Sequence, residues 1–222
     1  MAKHIIAIIV LLISFSTAAR TKLNRIEYGD ISAPVQIVEY ASPSCTVCAE
    51  FSRSVFPKLL KKYIQTKKVY FKVINLPYQG IDLKVSALIN HSPNPIEFHN
   101  FIYQNQHKWL FSKNPIKILT PMLVEKGMTM KEIQSALNNK TTERKLLKDR
   151  LEIEKKYQIE AIPFFKIGQT KIVGLMPWTK FEKTIDSALS HVKNGNPLET
   201  FGQKDEKIRS PQNTARKIKD RS

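Results

Sequence analysis

The chain has 222 residues, a formal net charge of +17 from 36 Lys and Arg against 19 Asp and Glu, and only two cysteines. That length suits one ordinary domain, with room for an insertion. The basic residues are spread along the chain rather than gathered on one recognition element, which argues against a nucleic-acid binder and leaves either a generally basic composition or an affinity for anionic membrane surfaces and acidic partners. A closed zinc site wants four ligands, and His91, His99, His107 and His191 show no metal-ligand spacing, so neither a metal nor a cofactor is expected.

Residues 1–19 combine a basic start at Lys3 and His4, an apolar run from Ile5 to Phe15, and small residues at Ser16, Thr17, Ala18 and Ala19. This is the layout of a secretory signal peptide cut after Ala18 or Ala19. The run is short of the roughly 20 residues that span a bilayer. The expectation is an exported, periplasmic protein, soluble or tethered only at its start.

Residues 20–31 read as a polar lead-in ending in the turn Tyr28-Gly29-Asp30, and Val35 to Tyr40 as a β-branched, buried strand. Ala41 to Ser44 break it. From Cys45 the spacing of Cys48, Phe51, Val55 and Leu59 predicts a helix to about Tyr63, capped by Ser44 and bent at Pro57. Val69 to Leu76 is the next strand, closed by Pro77. Together these make a strand–helix–strand crossover with the cysteines at the loop-to-helix junction.

Residues 78–157 read as helical, with segments over 82–90, 95–107 and 116–126. Thr129 with Glu132 forms a capping box for another. Thr142 caps a longer helix whose Leu146, Leu147, Leu151 and Tyr157 line one face. Phe164 to Ile167 and Lys171 to Val173 form a hairpin turning at Gly168-Gln169, and Trp178 to Val192 is amphipathic, carrying Phe181, Ile185 and Leu189. Residues 196–222 are polar and basic, the composition of a disordered tail. The expected division is 20–77 and 158–195 as two parts of one domain, with 78–157 a helical insertion.

Two cysteines three positions apart close too short a loop to serve as a staple, because disulfide stabilisation grows with loop length. In an oxidising compartment they point instead to redox chemistry. Cys45, at the first turn of a helix, meets unpaired backbone N–H groups and the positive end of the macrodipole, both favourable to a thiolate. Cys48 comes round to nearly the same face, deeper against the sheet, where it can resolve a mixed disulfide by attacking Cys45. Glu39 has two readings: a buried base or relay for Cys48, or a side chain turned to solvent by strand alternation. Pro163 can begin an edge strand, or, with a cis Ile162–Pro163 bond, place the Ile162 backbone beside the sulfurs to pair with an extended substrate.

The run Glu39-Tyr40-Ala41-Ser42-Pro43-Ser44-Cys45-Thr46-Val47-Cys48, the helical stretch after it, and Ile162-Pro163 before the hairpin together resemble the DsbA-like thiol–disulfide oxidoreductases. The lead-in from Gly29 to Val35 is also similar to members of that group, and the match covers about residues 26–192. The resemblance implies an α/β, thioredoxin-like fold with an inserted helical domain. It further implies Cys45 as nucleophile, Cys48 as resolving thiol, Glu39 as the buried acid and a cis Pro163.

One departure is Thr46-Val47, where DsbA-type oxidants often carry Pro-His, and it predicts a less oxidising centre. The leading expectation is an enzyme that donates the Cys45–Cys48 disulfide to reduced or misoxidised exported proteins and is reoxidised by a membrane redox partner. The alternatives are a reductase or isomerase kept reduced by a membrane donor, and a non-catalytic peptide-binding surface protein. No nucleic-acid partner is expected, and the membrane is met only through the leader or the basic tail.

Overall fold

A computed structural model of the chain describes residues 26–198, Gln79 excepted. The expected leader and all but the first residues of the expected tail lie outside the described residues. Five strands form one sheet, β1 (Ile26–Tyr28), β2 (Val35–Ala41), β3 (Val69–Asn75), β4 (Phe164–Ile167) and β5 (Thr170–Val173), in the order β1-β3-β2-β4-β5. β2 runs parallel to β3 through the crossover and antiparallel to β4, and the two outer pairs are antiparallel.

Every residue of β2 is buried, as a central strand covered on both faces requires. Its alternation sends Val35, Ile37 and Ala41 into one apolar cluster, and Val38 and Tyr40 into a second on the opposite face. Glu39 shares the face of Ile37 and Ala41, so alternation turns it inward. The solvent reading of Glu39 fails because neither face of β2 is open.

The lead-in is partly a strand: Ile26 to Tyr28 pair with Val73 to Phe71. Three residues flanked by charge give too short an alternation to read. Gly29 then turns the chain at φ +85°, and a Cβ there would lie 2.8 Å from the Val69 carbonyl oxygen and 2.9 Å from Ile64 Cγ2.

The helix after the cysteines is α1 (Thr46–Ser54), and its cap is Cys45 rather than Ser44, because the Cys45 sulfur accepts from the Cys48 N–H. The helix breaks at Val55, ahead of the expected bend. Pro57 sits in the first turn of α2 (Phe56–Leu59), where its missing N–H leaves no bond unmade, and a π-helical turn, Leu60–Ile64, follows.

Between β3 and β4 lie α3 (Ile81–His91), α4 (Pro95–Gln104), α5 (Gln106–Trp109), α6 (Pro115–Glu125), α7 (Met130–Leu137) and α8 (Lys140–Tyr157). The Thr129–Glu132 capping box is present at α7. α8 starts earlier than Thr142, capped by Asn139, whose side chain accepts from the Thr142 N–H. Its buried face carries Leu146, Ile153 and Tyr157, whereas Leu151 is 63% exposed. An i, i+4 reading of the leucines ran off the face that Ile153 and Tyr157 present to Tyr40 and Phe164.

The insertion shares its core with the sheet: Leu88, Phe98, Trp109 and Leu119 belong to the same apolar cluster as Ile37, Phe51 and Phe71. α9 (Trp178–Lys193) closes that face with Phe181 and Ile185, both fully buried. Among the described residues no helix is long and apolar enough to cross a membrane.

Gly29→Ala is expected to destabilise the protein by about 2 kcal/mol or more, since it combines a left-handed backbone with a clash against the Val69 carbonyl. A lowered urea midpoint with an unchanged slope checks it.

Candidate redox site

The loop between β2 and α1 delivers the cysteines. Pro43 and the following turn stop the strand, and Cys45, in an extended conformation at φ −77°, ψ 112°, becomes the N-cap of α1. Its sulfur lies 3.0 Å from the Cys48 nitrogen, so one unpaired N–H of the helix start points at Cys45 Sγ. Negative charge arriving on that sulfur meets a donor and the positive end of the helix.

Cys45 and Cys48 are joined as a disulfide, with Cα atoms 5.2 Å apart. The two sulfurs face different surroundings. Cys45 is partly exposed beside the exposed Thr46 and Val47, whereas Cys48 is fully buried against Phe51 and the sheet.

The Ile162–Pro163 peptide is cis. Pro163 is buried and its carbonyl oxygen accepts from the Gly174 N–H at 2.7 Å, which ties the bend to the end of the hairpin. The Ile162 carbonyl oxygen lies 3.9 Å from Cys45 Sγ. A half-exposed stretch of backbone therefore stands beside the accessible sulfur, 117 residues away in sequence.

Glu39 lines the same small cavity as Cys48, behind the disulfide. It is buried to 4% exposure, and burial alone pushes its carboxyl up to about 8. A carboxyl in that position stays protonated at neutral pH. It can hand a proton to Cys48 leaving as a thiolate, or, in the reverse direction, take one from the Cys48 thiol. The structure thus brings together Cys45, Cys48, Glu39, Ile162 and Pro163.

Sequence reasoning missed the groups that hold the loop in place. The Ser42 hydroxyl donates to both carboxylate oxygens of Asp82, at 2.6 and 2.7 Å. Asp82 also accepts from the backbone N–H of Ser44 at 3.1 Å and of Tyr78 at 2.8 Å. From α5, the Gln106 carboxamide donates to the carbonyl oxygens of Pro43 at 2.8 Å and Cys45 at 3.1 Å. Asp82 and Gln106 are both buried, and the bonds to the Ser42 hydroxyl and the Pro43 carbonyl are made away from water, the others being part-buried. No local pattern marks either residue, because the redox-loop groups they bond lie 38 to 63 residues away. His99 is different: it interrupts the apolar face of Phe98, Ile102 and Tyr103, a visible signal for a buried polar group.

A family model described as Thioredoxin matches residues 21–187. A Rickettsia typhi protein named as a protein-disulfide oxidoreductase is 34% identical over 132 residues, 55% of this chain and 49% of that protein. Disulfide bond formation protein D of Bacillus subtilis is 27% identical over 176 residues, 72% of this chain and 75% of that protein. The crystal structure of Wolbachia pipientis alpha-DsbA1 superposes with a TM-score of 0.72 at 24% identity, covering 78% of this chain and 94% of the other. The match spans about half the length of the Rickettsia typhi and Rickettsia prowazekii relatives.

Two outcomes follow from this geometry. Asp82→Ala strips the buried Ser42 hydroxyl and two part-buried N–H groups of their acceptor, and is expected to lower stability by about 3 kcal/mol in chemical denaturation. Glu39→Gln is expected to raise stability in a pH-dependent way. The unfolded carboxyl loses its proton near 4.5 and the folded one near 8, so between those values the unfolded chain binds fewer protons and the parent loses stability as pH rises. The variant lacks that slope, on the order of 1 kcal/mol per pH unit. Its advantage should vanish below pH 4.5 and be largest at pH 8 and above, in parallel denaturation series.

Proposed function

Because the chain belongs to the DsbA-like thioredoxin-fold family, we propose that it is an exported protein thiol–disulfide oxidoreductase that donates the Cys45–Cys48 disulfide to reduced secreted or envelope proteins. One observation carries the reading. The disulfide caps a helix whose N–H points at Cys45, with the Ile162 backbone 3.9 Å from that sulfur on one side and the Glu39 carboxyl sharing a cavity with Cys48 on the other.

In the exchange, a substrate thiolate attacks Cys45 Sγ in line with the disulfide. The new bond joins substrate sulfur to Cys45, and the electron pair of the broken bond goes to Cys48, which takes the Glu39 proton. A second substrate thiolate then attacks the first substrate sulfur and expels Cys45 as a thiolate, held by the Cys48 N–H and the helix start. The substrate leaves oxidised and the cysteine pair reduced. A membrane redox partner that withdraws two electrons restores the disulfide, and as Cys48 re-forms its bond to Cys45 its proton returns to Glu39, the protons of the two client thiols having gone to solvent when they ionised.

Ile162 and Pro163 are assigned to substrate binding, where the main chain beside Cys45 pairs with an extended segment of the client. Cys45 and Cys48 carry the chemistry and Glu39 moves the proton. Export is supported by the leader-like composition of residues 1–19, which places the pair in the compartment where disulfides persist. The relative named for disulfide bond formation supports the oxidising direction.

Thr46-Val47 favours a second reading. Neither side chain brings a cation or a ring N–H to the Cys45 thiolate, which leaves the reduced form less stabilised and the pair less oxidising. A reductase or isomerase kept reduced by a membrane donor uses the same residues in reverse.

Cys48→Ala in the full chain is expected to accumulate mixed disulfides through Cys45 in its native host, and the double variant with Cys45→Ala to accumulate none. Absence of trapped partners would sink the enzyme reading and favour a peptide-binding protein. Thiol alkylation of the parent in cells decides direction: a mainly oxidised pair is expected, and a mainly reduced one selects the reductase.

A further inference from the structure

The apolar floor beneath the disulfide contains polar groups that the exchange just described does not use. Helix α4 of the insertion packs on α1 and β1 and brings His99 and Tyr103 to the cavity that Glu39 and Cys48 line. The cavity has about 10 Å³ open to the centre of a water-sized sphere, room for one water molecule. Neither ring nitrogen of His99, nor the Tyr103 hydroxyl, has a hydrogen-bond partner of good geometry, although His99 is 4% exposed and Tyr103 1%.

Three unmet polar atoms in one core are costly, at about 1–3 kcal/mol each, unless something satisfies them. A water molecule in this cavity can meet the Tyr103 hydroxyl and one of the two ring nitrogens, since it can donate two hydrogen bonds and accept two. We propose that Glu39, His99 and Tyr103 together hold one buried water behind Cys48, and that His99 is thereby a positioning residue that sets how readily Glu39 releases its proton. The inference rests on the redox reading above and adds to it a role for the helical insertion.

The other groups facing this spot are few. Tyr28 of β1 is committed, its hydroxyl donating to Asn100 Oδ1 at 2.9 Å. On α1, Arg53 reaches only the Tyr103 carbonyl oxygen, at 3.4 Å, and pairs with Glu50 outside. Asp82 of α3 acts on Tyr103 from a distance and is engaged by Ser42. β3 contributes Phe71 and Val73 to the wall, and α2 contributes Phe56. No cation therefore neutralises Glu39 among the described residues that face it.

Burial holds the His99 ring down at about 4, the Asn100 carboxamide being the smaller, opposing influence, so the ring is neutral wherever the carboxyl titrates. A neutral imidazole can both donate and accept, and either use orients the water toward Glu39. The water then donates to the carboxylate once Glu39 has given its proton to Cys48. That bond favours the charged form, so losing it makes the carboxyl hold its proton more tightly.

The test is the rate at which a small dithiol reduces the Cys45–Cys48 disulfide of the full chain, divided by the fraction of attacking thiolate and followed from neutral into alkaline pH. In the parent the corrected rate is expected to fall around pH 8, as Glu39 loses the proton that Cys48 needs, and Glu39→Gln should abolish that limb. His99→Phe removes the polar partner and is expected to move the limb upward by about one pH unit. His99→Gln, which still bonds a water, should return it close to the parent. A folded His99→Phe protein with the parent's limb would overturn the inference while leaving the redox reading intact. If His99→Phe does not fold, Tyr103→Phe, which lacks a single oxygen, decides: an upward shift supports the buried water and an unmoved limb refutes it. A disulfide inert to the dithiol in the parent would defeat both readings.

Discussion

The arrangement turns on a carboxyl placed at the centre of a strand that has no solvent face. Glu39 lies between Val73 of β3 and Phe165 of β4, in register on both sides. An ionised carboxylate there would forfeit its hydration with no cation in return, so the group stays neutral and its proton becomes available at physiological pH. The neighbouring core makes this tolerable. Phe51, Phe71, Phe165 and Phe181 pack with ring centroids 4.5 to 6.2 Å apart, fixing the sheet and α1 on either side of the acid. Stability is given up at one position so that a weak acid can sit behind a sulfur.

The helical insertion is part of that machinery. Asp82 from α3 and Gln106 from α5 pin the backbone from Ser42 to Cys45, and α4 supplies the polar floor with His99 and Tyr103. A CxxC turn at the end of a strand could otherwise adopt several loop conformations. Buried hydrogen bonds from two separate helices restrict it to one, with Cys45 at the helix start. The shared core explains why this is rigid: Trp109, which follows Gln106 by one turn, is fully buried and donates from its indole N–H to the Ile102 carbonyl at 3.2 Å. Displacing α5 would therefore disturb the core and the redox loop together.

How much of this was legible follows from the range of each interaction. The strands β2 and β3, the capping box at Thr129 and the hairpin at Gly168 are written in neighbouring residues, and the sequence reading places them within a residue or two. Placing Ile162-Pro163 beside the cysteines was one of two readings of that proline, and the family resemblance selected it, since nothing local says that residue 162 lies beside residue 45. Glu39 was ambiguous because strand alternation fixes two faces without saying that both are covered, and α1 and α4 on its own face settle that. Leu151 misled for the opposite reason: a leucine at helical spacing looks like core, yet the helix presents Ile153 and Tyr157 inward instead. Asp82 and Gln106 were invisible, since a buried hydrogen bond 40 or 60 residues long leaves no periodic trace.

The asymmetry between the two sulfurs gives the site its direction of traffic. Cys45 is reachable and flanked by exposed Thr46 and Val47 and by the Ile162 backbone, so it is the sulfur open to an attacking thiolate. Cys48 is sealed from solvent and meets only the sheet, Phe51 and the cavity with Glu39. Under the proposed exchange, the client's bond is made at the outer sulfur while the proton moves at the inner one, on opposite sides of the same disulfide. Keeping the two apart has a chemical consequence. The outer thiolate is governed by the helix start and stays charged and nucleophilic, whereas the inner one is governed by a neutral carboxyl and is quenched as it forms. Attack on the inner sulfur is blocked by packing, and return of the inner thiolate is slowed by its proton. On the proposed exchange, a mixed disulfide through Cys45 would therefore last long enough for the client's own second thiol to complete the reaction, with the pH at which Glu39 ionises setting how long that is.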